Sequence, residues 1–543
     1  MNQRFVLVRH GGNREGRISP ISIAALVSAT LLMGLGFWTM SLRPEARAVT
    51  APEETVLRIY CAAGIAKPVE EVVEAFNREY QTRVEIVRLG GSGELAGLIE
   101  TEFESEVEPS PDLYVTADDL LLEIAAKKGI VAEQLPLAIQ KPVIAVPVDS
   151  TLSHKTFQEI AEDSTLDFGI CSNRAAVGKL ARRIAKRDGF EEALESNKKT
   201  ESENVMVLAQ SLVSRSLDAA VVWDTTVKQV NAASSEPKLR VLCDADSKRE
   251  YESNIATGVL SRSKNPTLAL KFARYLTSPE KGKQAFEKYG FHFVEGDSWE
   301  ERPEVHIYLG SMFTPVLEER LREFADREGI DLYSRWEGCG KLSASINAIK
   351  DPDLFPDAYL ACDRIFLERV QQHFRDPITV STNDIVMAIR NDVRHTIVHP
   401  KDVMADGVRV GVCDPELSAL GYLTRELLSQ KPFAGVYSQL KDQASVTVDV
   451  GPTLISQLSA GGLDVAFVYR SNVLADDELR KKIRIVEIDD LGQNTAFATQ
   501  PWAVSKNTRN PELIHRLFLV IRDEESAGRF EKAGFRLQPS VKE

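Results

Sequence analysis

The stretch Leu217-Asp-Ala-Ala-Val-Val-Trp223 recurs as Leu463-Asp-Val-Ala-Phe-Val-Tyr469, 246 positions further along the chain. Both are short apolar runs that end in an aromatic residue, a pattern typical of buried β-strands. Four more pairs of segments match in the same order, with offsets between 244 and 248: 57–60 with 305–308, 91–95 with 338–342, 111–114 with 356–359, and 286–291 with 530–535. A nearly constant offset over so many segments indicates an internal duplication.

Each copy alternates apolar strands with amphipathic helices. In the first copy, β-branched and apolar runs predict strands at 84–87, 113–116, 143–148, 168–171 and 219–223. Pro68 and Pro315 follow the first strand of their copies and are predicted to begin a helix, because the missing N–H of proline would be unpaired in the first turn. The alternation predicts an α/β architecture with mostly parallel sheets.

Breaks in this pattern divide each copy further. They fall near Lys141 and again near Leu242, and they predict two lobes joined by crossing segments. Such a fold places its ligand in the cleft at the carboxyl ends of the strands, where helix amino termini point. We therefore predict two tandem two-lobed domains resembling periplasmic binding proteins, residues 52–300 and 301–543, which meet in the polar stretch 296–303.

Residues 1–50 form a separate targeting segment. Four arginines precede an uncharged run at 18–40, which is 23 residues long. A helix needs roughly 20 residues to span a bilayer, and basic residues on its amino-terminal side keep that end in the cytoplasm. Ala-Arg-Ala at 46–48 has the form of a signal-peptidase site. An anchor and a cleaved signal both remain open, and the length of the run favours an anchor in the membrane.

Composition argues against several functions. The chain has 80 acidic and 66 basic residues and a formal net charge of −14, which repels nucleic acid. Its six cysteines are scattered without a C-x-x-C motif, and its eight histidines show no paired spacing, so we expect neither a metal site nor a cofactor. Neither G-x-S-x-G nor H-E-x-x-H occurs. We therefore expect that the protein is not an enzyme.

Both copies resemble the periplasmic molybdate-binding proteins of ABC transporters, a group within the two-lobed solute-binding proteins. The resemblance covers about residues 56–294 and 305–537. It rests on ordered motifs: a Gly/Ser turn before a helix, Pro-Asp-x-Tyr, an apolar strand ending in an aromatic residue, and a terminal F-E-K-x-G-F. It implies that a small oxyanion is held without a metal, by hydroxyls and by backbone N–H groups at helix starts, where the helix dipole is positive.

In the first copy, the resemblance implies a ligand site at Gly64, Ser92 and Trp223. Gly64 stands where the family has a serine, and Trp223 where it has a tyrosine. Arg174 lies in the loop of the second lobe and adds a side chain that could bind an anion directly.

In the second copy, the resemblance implies a site at Cys339, Asp414 and Tyr469, with Asp414 in the Asp-Pro-Glu loop of the family. The first loop contributes Ser311 or its neighbour Met312, of which we favour Ser311. Cys339 replaces a serine, and a thiol is the weaker donor. Because neither copy keeps the full set of ligands, the identity of the anion is open.

These features predict an exported solute-binding protein that captures an oxyanion similar to molybdate, tungstate or sulfate. It would present this solute to an ABC permease at the periplasmic face of the inner membrane, anchored by 18–40. The alternative is a membrane-tethered sensor or scaffold with degenerate clefts, used for another ligand or a protein partner. An iron-binding protein is a third interpretation, but that branch usually has adjacent tyrosines late in the domain, and none occur here.

Overall fold

The computed structural model describes residues 56–538, except 107, 109, 249, 352–353 and 489–496. The predicted signal or anchor at 18–40 lies outside the described residues. Within the described part of the chain, no helix combines the length and the apolar character needed to cross a membrane. The chain from Val56 onward forms one compact unit that contains both copies.

Strands and helices alternate through the first copy. Its strands are β1 Val56–Ala62, β2 Arg83–Gly90, β3 Leu113–Thr116, β4 Val131–Gln140, β5 Pro142–Pro147, β6 Phe168–Cys171, β7 Lys198–Ser202, β8 Ala219–Trp223, β9 Leu239–Asp244, β10 Ser253–Leu260 and β11 His292–Phe293. Its helices are α1 Ala66–Tyr80, α2 Ser92–Glu104, α3 Asp119–Lys127, α4 Phe157–Glu162, α5 Ala176–Asp188, α6 Glu191–Asn197, α7 Val205–Val213, α8 Asp224–Ala232, α9 Pro266–Thr277 and α10 Lys283–Lys288. The predicted strands at 113–116, 168–171 and 219–223 are confirmed as β3, β6 and β8, and all their side chains are buried.

The first copy has two lobes, each with its own sheet. Lobe 1A has the strand order β11-β4-β10-β3-β1-β2, and lobe 1B has the order β7-β6-β8-β5-β9. Strands β2 and β3 are parallel to β1, and β7 and β8 are parallel to β6. By contrast, β10 is antiparallel to β3 and β4, and β5 is antiparallel to β8 and β9. The prediction of mostly parallel sheets is wrong because β5 and β10 each follow a crossing between the lobes and run against their neighbours.

Two crossings join these lobes. The first is at Lys141, between β4 and β5, as predicted. The second lies at 245–252, between β9 and β10, and begins three residues after the predicted break near Leu242. Leu242 belongs to β9, an edge strand whose side chains are partly exposed.

The second copy repeats this order of elements. Its strands are β12 Glu304–Gly310, β13 Asp331–Glu337, β14 Ala358–Leu360, β15 Phe374–Arg390, β16 Val410–Cys413, β17 Val446–Val448, β18 Val465–Tyr469, β19 Ile483–Glu487, β20 Phe497–Ser505 and β21 Arg536–Leu537. Its helices are α11 Thr314–Glu328, α12 Cys339–Ala348, α13 Arg364–Glu368, α14 Ala419–Ser429, α15 Val436–Gln443, α16 Gly451–Ser459, α17 Arg470–Leu474, α18 Asp477–Lys482, α19 Pro511–Ile521 and α20 Glu524–Lys532. Helices α1 and α11 begin at Ala66 and Thr314, so each predicted proline lies within the first turn.

One long strand, β15, belongs to both lobes of the second copy. Its first part pairs with β20 and β21 in lobe 2A, and its last part pairs with β18 and β19 in lobe 2B. Lobe 2A also contains β12, β13 and β14, and lobe 2B contains β16 and β17. The corresponding segment of the first copy is interrupted at Lys141, between β4 and β5. The two copies therefore share a topology and differ in the continuity of this crossing.

The copies pack against each other around a buried ion triad formed by Arg274, Glu328 and Arg516. Glu328 at the end of α11 accepts hydrogen bonds from Arg516 Nε of α19 at 2.7 Å and from Arg274 Nη1 of α9 at 3.1 Å. All three residues are at most 4% exposed. Since α9 belongs to the first copy and α11 to the second, the triad links the two.

The connecting segment is also bonded to the second copy. The Asp297 carboxylate accepts hydrogen bonds from the backbone N–H groups of Glu512 and Leu513, at 2.8 and 3.0 Å. It therefore caps the start of α19, where a carboxylate is favoured by the helix dipole. Burial of Asp297 raises the pKa of its carboxyl to about 6. The polar stretch predicted as a junction is thus part of the packed structure.

Candidate functional site

In the first copy, helix starts from both lobes converge on one point. Gly93 in the first turn of α2 is so close to lobe 1B that an added Cβ would lie 2.6 Å from the carbonyl oxygen of Arg174. A Cβ on Gly91 would lie 3.4 Å from the carbonyl oxygen of Glu203, just before α7. Glycine permits this approach because it has no Cβ. Lobes 1A and 1B are therefore closed on each other around the starts of α2, α5 and α7.

A small cavity remains between these helix starts. Its volume is about 40 Å³, and its lining consists of Ala62, Ala63, Gly64, Gly90, Gly91, Ser92, Ala117, Ala175, Ala176, Val177, Glu203, Asn204, Val205 and Trp223. One water occupies about 30 Å³ in the liquid. The closed cavity therefore suits a ligand of few atoms. Three residues predicted for this site, Gly64, Ser92 and Trp223, do line it together.

Ser92 is placed to donate to a ligand. It is 5% exposed, and its Oγ accepts a hydrogen bond from the backbone N–H of Ala117 at 3.2 Å. The Ser92 carbonyl oxygen accepts from the Tyr114 hydroxyl at 2.5 Å. A hydroxyl can accept and donate at once, so the Ser92 proton stays available at the start of α2. Helices α2 and α5 have no side-chain cap, which leaves their first N–H groups without that partner.

Arg174 and two carboxylates set the charge around this cleft. The Arg174 side chain is exposed and is not part of the cavity lining, although its backbone touches Gly93. Glu203 does line the cavity and accepts a hydrogen bond from Ser172 Oγ at 2.7 Å. Glu94, at the third position of α2, accepts from the backbone N–H of Gly91 at 3.3 Å. Lys179 in the first turn of α5 is ion-paired with Asp118 of lobe 1A at 3.2 Å. Beside that pair, the two carboxylates of Glu94 and Glu203 next to the helix starts disfavour an anion here.

In the second copy, the starts of α12, α14 and α16 converge in the same way. A Cβ on Gly338 would lie 2.6 Å from the carbonyl oxygen of Leu417 and 2.8 Å from that of Asp449. The backbone N–H of Gly340 donates to the Leu417 carbonyl across the cleft at 3.1 Å. An ion pair between Lys341 and Asp449 also joins lobe 2A to lobe 2B. Among the residues that the structure describes, no side chain caps any of these three helices.

Tyr469 and Cys339 lie at the centre of this second cleft. Tyr469 ends β18 and is 3% exposed, and its hydroxyl has no hydrogen-bond partner among the described residues. Burial, followed by the nearby Cys362 thiol and Asp363 carboxyl, raises the pKa of Tyr469 well above its usual value. Cys339 is the first residue of α12, the position that Ser92 has in α2, and it is fully buried.

The other two predicted residues of the second copy lie in the loops. Ser311 begins the short 3-10 turn Ser311–Phe313 and is half-buried. The equivalent turn of the first copy begins at Ala63, so Met312, which is buried, occupies the position of Gly64. The Asp414 carboxylate accepts from the backbone N–H groups of Glu416 and Leu417, at 2.8 and 3.1 Å. It therefore fixes the loop before α14.

The sequence analysis did not single out Lys341, Asp449, Glu203 or Cys362. Applying the offset of the duplication would have found them, because Lys341 replaces Glu94, Asp449 replaces Glu203, and Cys362 replaces Ala117. The second cleft thus has one basic and one acidic residue where the first has two acidic ones. Among the described residues, no group of three or more His, Cys, Asp or Glu side chains is placed to hold a metal ion.

Two closed clefts, each between two α/β lobes and each lined by helix starts, define a solute-binding protein. Residues 57–292 and 305–536 both match the model of the bacterial extracellular solute-binding protein family. The chain therefore belongs to this family and carries its domain twice in tandem.

Individual relatives match less than half of the chain. A Haemophilus influenzae protein described as a binding protein is 27% identical over 236 residues, which are 43% of this chain and 90% of the relative. A Haloferax volcanii protein described as a molybdenum-binding ABC transporter protein is 30% identical over 109 residues, 18% of this chain and 34% of the relative.

Solved structures of binding proteins are similar to part of the chain. The periplasmic molybdate-binding protein of Azotobacter vinelandii is 14% identical with a TM-score of 0.38, and the match covers 44% of this chain and 100% of that one. Structures of similar likeness include iron-bound, thiamin-binding and sulfate-binding proteins. This likeness does not identify a ligand.

Proposed function

We propose that this protein captures a small oxyanion in an interlobe cleft and that the second copy is the binding copy. The observation that carries the proposal is the convergence of the starts of α12, α14 and α16 on the buried hydroxyl of Tyr469. Within the described part of the chain, these helix starts have no side-chain cap and this hydroxyl has no hydrogen-bond partner. Free N–H groups at helix starts bind anions because they combine hydrogen-bond donors with the positive end of the helix dipole.

The charges around the two clefts support this choice of copy. Each cleft is crossed by one ion pair, Lys341 with Asp449 in the second copy and Lys179 with Asp118 in the first. The first cleft carries two further carboxylates, Glu94 and Glu203, next to its helix starts. With a net charge of −14, the chain repels anions at long range, so a binding cleft needs local positive potential. The first copy retains Ser92 and a cavity for a ligand of few atoms, but its carboxylates weaken it as an anion site.

We further propose the cellular role that goes with such a site. The protein would act outside the cytoplasm, with 18–40 as membrane anchor or signal, and would present its solute to an ABC permease. Residues 52–300 and 301–543 would be the two binding domains, held in a fixed arrangement by the buried triad around Glu328. This role rests on membership of the family and on the resemblance to molybdate-binding proteins.

A membrane-tethered sensor or scaffold is the second candidate. It is favoured by the unequal clefts, since the first copy has carboxylates where the second has Lys341. In that role one copy would bind a different ligand or a protein partner. The two candidates make different predictions for calorimetry with simple anions.

The test is isothermal titration calorimetry on the full-length chain with molybdate, tungstate, sulfate and phosphate. Gly340→Ala should prevent closure of the second cleft, because the new Cβ would clash with the carbonyl oxygen of Glu416. Gly93→Ala should do the same to the first cleft through Arg174. Gly97→Ala is the matched control in α2, since nothing lies within 4 Å of its Cβ.

We expect at least one anion to release or absorb heat, and Gly340→Ala to weaken this binding about tenfold or more, a loss of at least about 1.4 kcal/mol. Gly93→Ala and Gly97→Ala should bind as the wild type does. Loss of binding in Gly93→Ala alone would assign the ligand to the first cleft. Absence of heat from all four anions would refute the oxyanion proposal and leave the sensor or scaffold.

A further inference from the structure

Two cysteines meet at the floor of the second cleft. The Sγ atoms of Cys339 and Cys362 are 2.7 Å apart, and the backbone N–H of Cys362 donates to Cys339 Sγ at 3.0 Å. Cys339 is fully buried, and Cys362 is 5% exposed. They are 23 positions apart in the chain, at the start of α12 and just after β14, and they form a pair that belongs to lobe 2A.

The first copy shows what the fold requires at these two positions. There the residues are Ser92 and Ala117, and the backbone N–H of Ala117 donates to Ser92 Oγ at 3.2 Å. The same contact therefore exists without sulfur. The fold brings the two positions together, whereas the thiols at both of them are particular to the second copy.

The sulfur atoms lie directly below the first loop of the cleft. A Cβ on Gly310 would lie 3.2 Å from Cys339 Sγ and closer still to Cys362 Sγ. Burial by itself would raise the pKa of the Cys339 thiol, but its hydrogen bonds with Cys362 hold that pKa below the ordinary value. A cysteine at a helix start also favours the thiolate, the form that reacts with disulfides.

We propose that Cys339 and Cys362 form a disulfide when the open cleft meets a disulfide donor, and that this bond controls ligand binding by the second copy. In the reduced form, no covalent bond joins the start of α12 to the segment after β14. In the disulfide form, these two segments are tied together, so the start of α12 cannot shift relative to that segment when a solute enters the cleft.

The reaction is a thiol–disulfide exchange in two steps. The Cys339 thiolate attacks one sulfur of the donor R–S–S–R and forms a mixed disulfide, and the first thiolate RS⁻ leaves and takes up the proton lost from Cys339. The Cys362 thiolate then attacks Cys339 Sγ, and the second RS⁻ leaves and takes up the proton of Cys362. The two cysteines lose two electrons, which reduce the donor to two RSH.

Bond formation can be tested without any solute. The full-length chain is treated with excess oxidised glutathione, quenched with acid, denatured and labelled with a maleimide that shifts its mass once per thiol. The reduced chain has six cysteines, so six labels fall to four when one disulfide forms. After trypsin, the bond should join the peptide 336–341 to the peptide 351–364. Six labels, or Cys339 linked to any other cysteine, would overturn the proposal.

Variants give matched controls. The double variant Cys339→Ser and Cys362→Ala restores the residues of the first copy and should keep its four labels after oxidation. Cys413→Ser removes a neighbouring buried thiol and should still lose two labels. Cys362→Ala alone should stop at a glutathione adduct on Cys339, because the second thiolate is missing. A free Cys339 thiol in this variant would contradict the order of attack.

The claim that the disulfide controls ligand binding rests on the proposed function. Calorimetry distinguishes a failure of this claim from a failure of the proposed function. With the anion that binds the reduced chain, the oxidised chain should bind at least tenfold more weakly, and the double variant should bind equally in both conditions. Equal binding by reduced and oxidised wild type would show that the disulfide does not regulate ligand binding, but it would not contradict formation of the disulfide. Absence of binding in every form, with four labels after oxidation, would refute the proposed function and with it the control.

Discussion

Replacing Tyr469 by phenylalanine should change stability and ligand affinity in opposite directions. The Tyr469 ring is 3% exposed, and its hydroxyl is buried with no hydrogen-bond partner among the described residues. An unpaired buried polar group costs about 1–3 kcal/mol of stability. Phenylalanine keeps the ring and removes the hydroxyl, so the ligand-free variant should be more stable than the wild type by about 1 kcal/mol or more.

In the complex with a ligand, Tyr469→Phe should be unfavourable, because it should weaken ligand binding. When an oxyanion occupies the cleft, we expect the Tyr469 hydroxyl to donate to one of its oxygens. The loss of one such hydrogen bond is worth about 0.5–1.5 kcal/mol, which weakens binding roughly two- to twelvefold. A tyrosine that only packs in the core would not combine a gain in stability with a loss of ligand affinity when it is replaced by phenylalanine.

Urea unfolding without ligand measures the change in stability, and calorimetry with molybdate measures the change in ligand affinity. Tyr114→Phe is the matched control, because the hydroxyl of this buried tyrosine does have a partner, the carbonyl oxygen of Ser92 at 2.5 Å. It should lose about 0.5–1.5 kcal/mol of stability. If Tyr469→Phe destabilises the ligand-free chain as Tyr114→Phe does, the Tyr469 hydroxyl has a partner in the protein and our description of the second cleft is incorrect.

Two further predictions concern charge. Glu328→Gln should destabilise the chain by about 3–5 kcal/mol in urea, because it leaves both buried arginines of the triad without an anion. The control is Glu319→Gln, which removes one partner of the exposed ion pair with Arg529 and should leave stability nearly unchanged. Hydrogen bonds from Arg187 and Lys248 lower the pKa of Asp188 to about 2. A lowered pKa stabilises the folded state above the unfolded value near 3.8, so Asp188→Asn should be less stable than the wild type at pH 7. Solvent screens this surface carboxylate, so the loss should be about 1 kcal/mol or less. The difference should disappear between pH 4 and 2 in acid unfolding, and a constant difference would contradict this.

Much of the fold can be predicted from the sequence because burial leaves a local pattern. The runs at 113–116, 168–171 and 219–223 are apolar except for Thr116 and form strands that are buried throughout. The order of matching segments similarly predicts the duplication and, through the resemblance, the family. Edge strands such as β9 were harder to place, since their side chains are partly exposed.

The candidate site could be predicted only in part. Gly64, Ser92 and Trp223 do line one cavity, and Cys339 and Tyr469 lie at the second cleft. The exposed position of Arg174 was not evident, because the local sequence of a loop does not show whether a side chain faces the cleft or the solvent.

The sequence by itself determined that one α/β domain occurs twice and which strands form its cores. Tertiary structure alone decided that β5 and β10 run against their neighbours, that Glu328 joins Arg274 of the other copy, and that Cys339 meets Cys362. The reason is physical. Strand and helix patterns reflect how each residue alternates between core and solvent within a few positions, whereas these contacts join distant segments and depend on how whole lobes close.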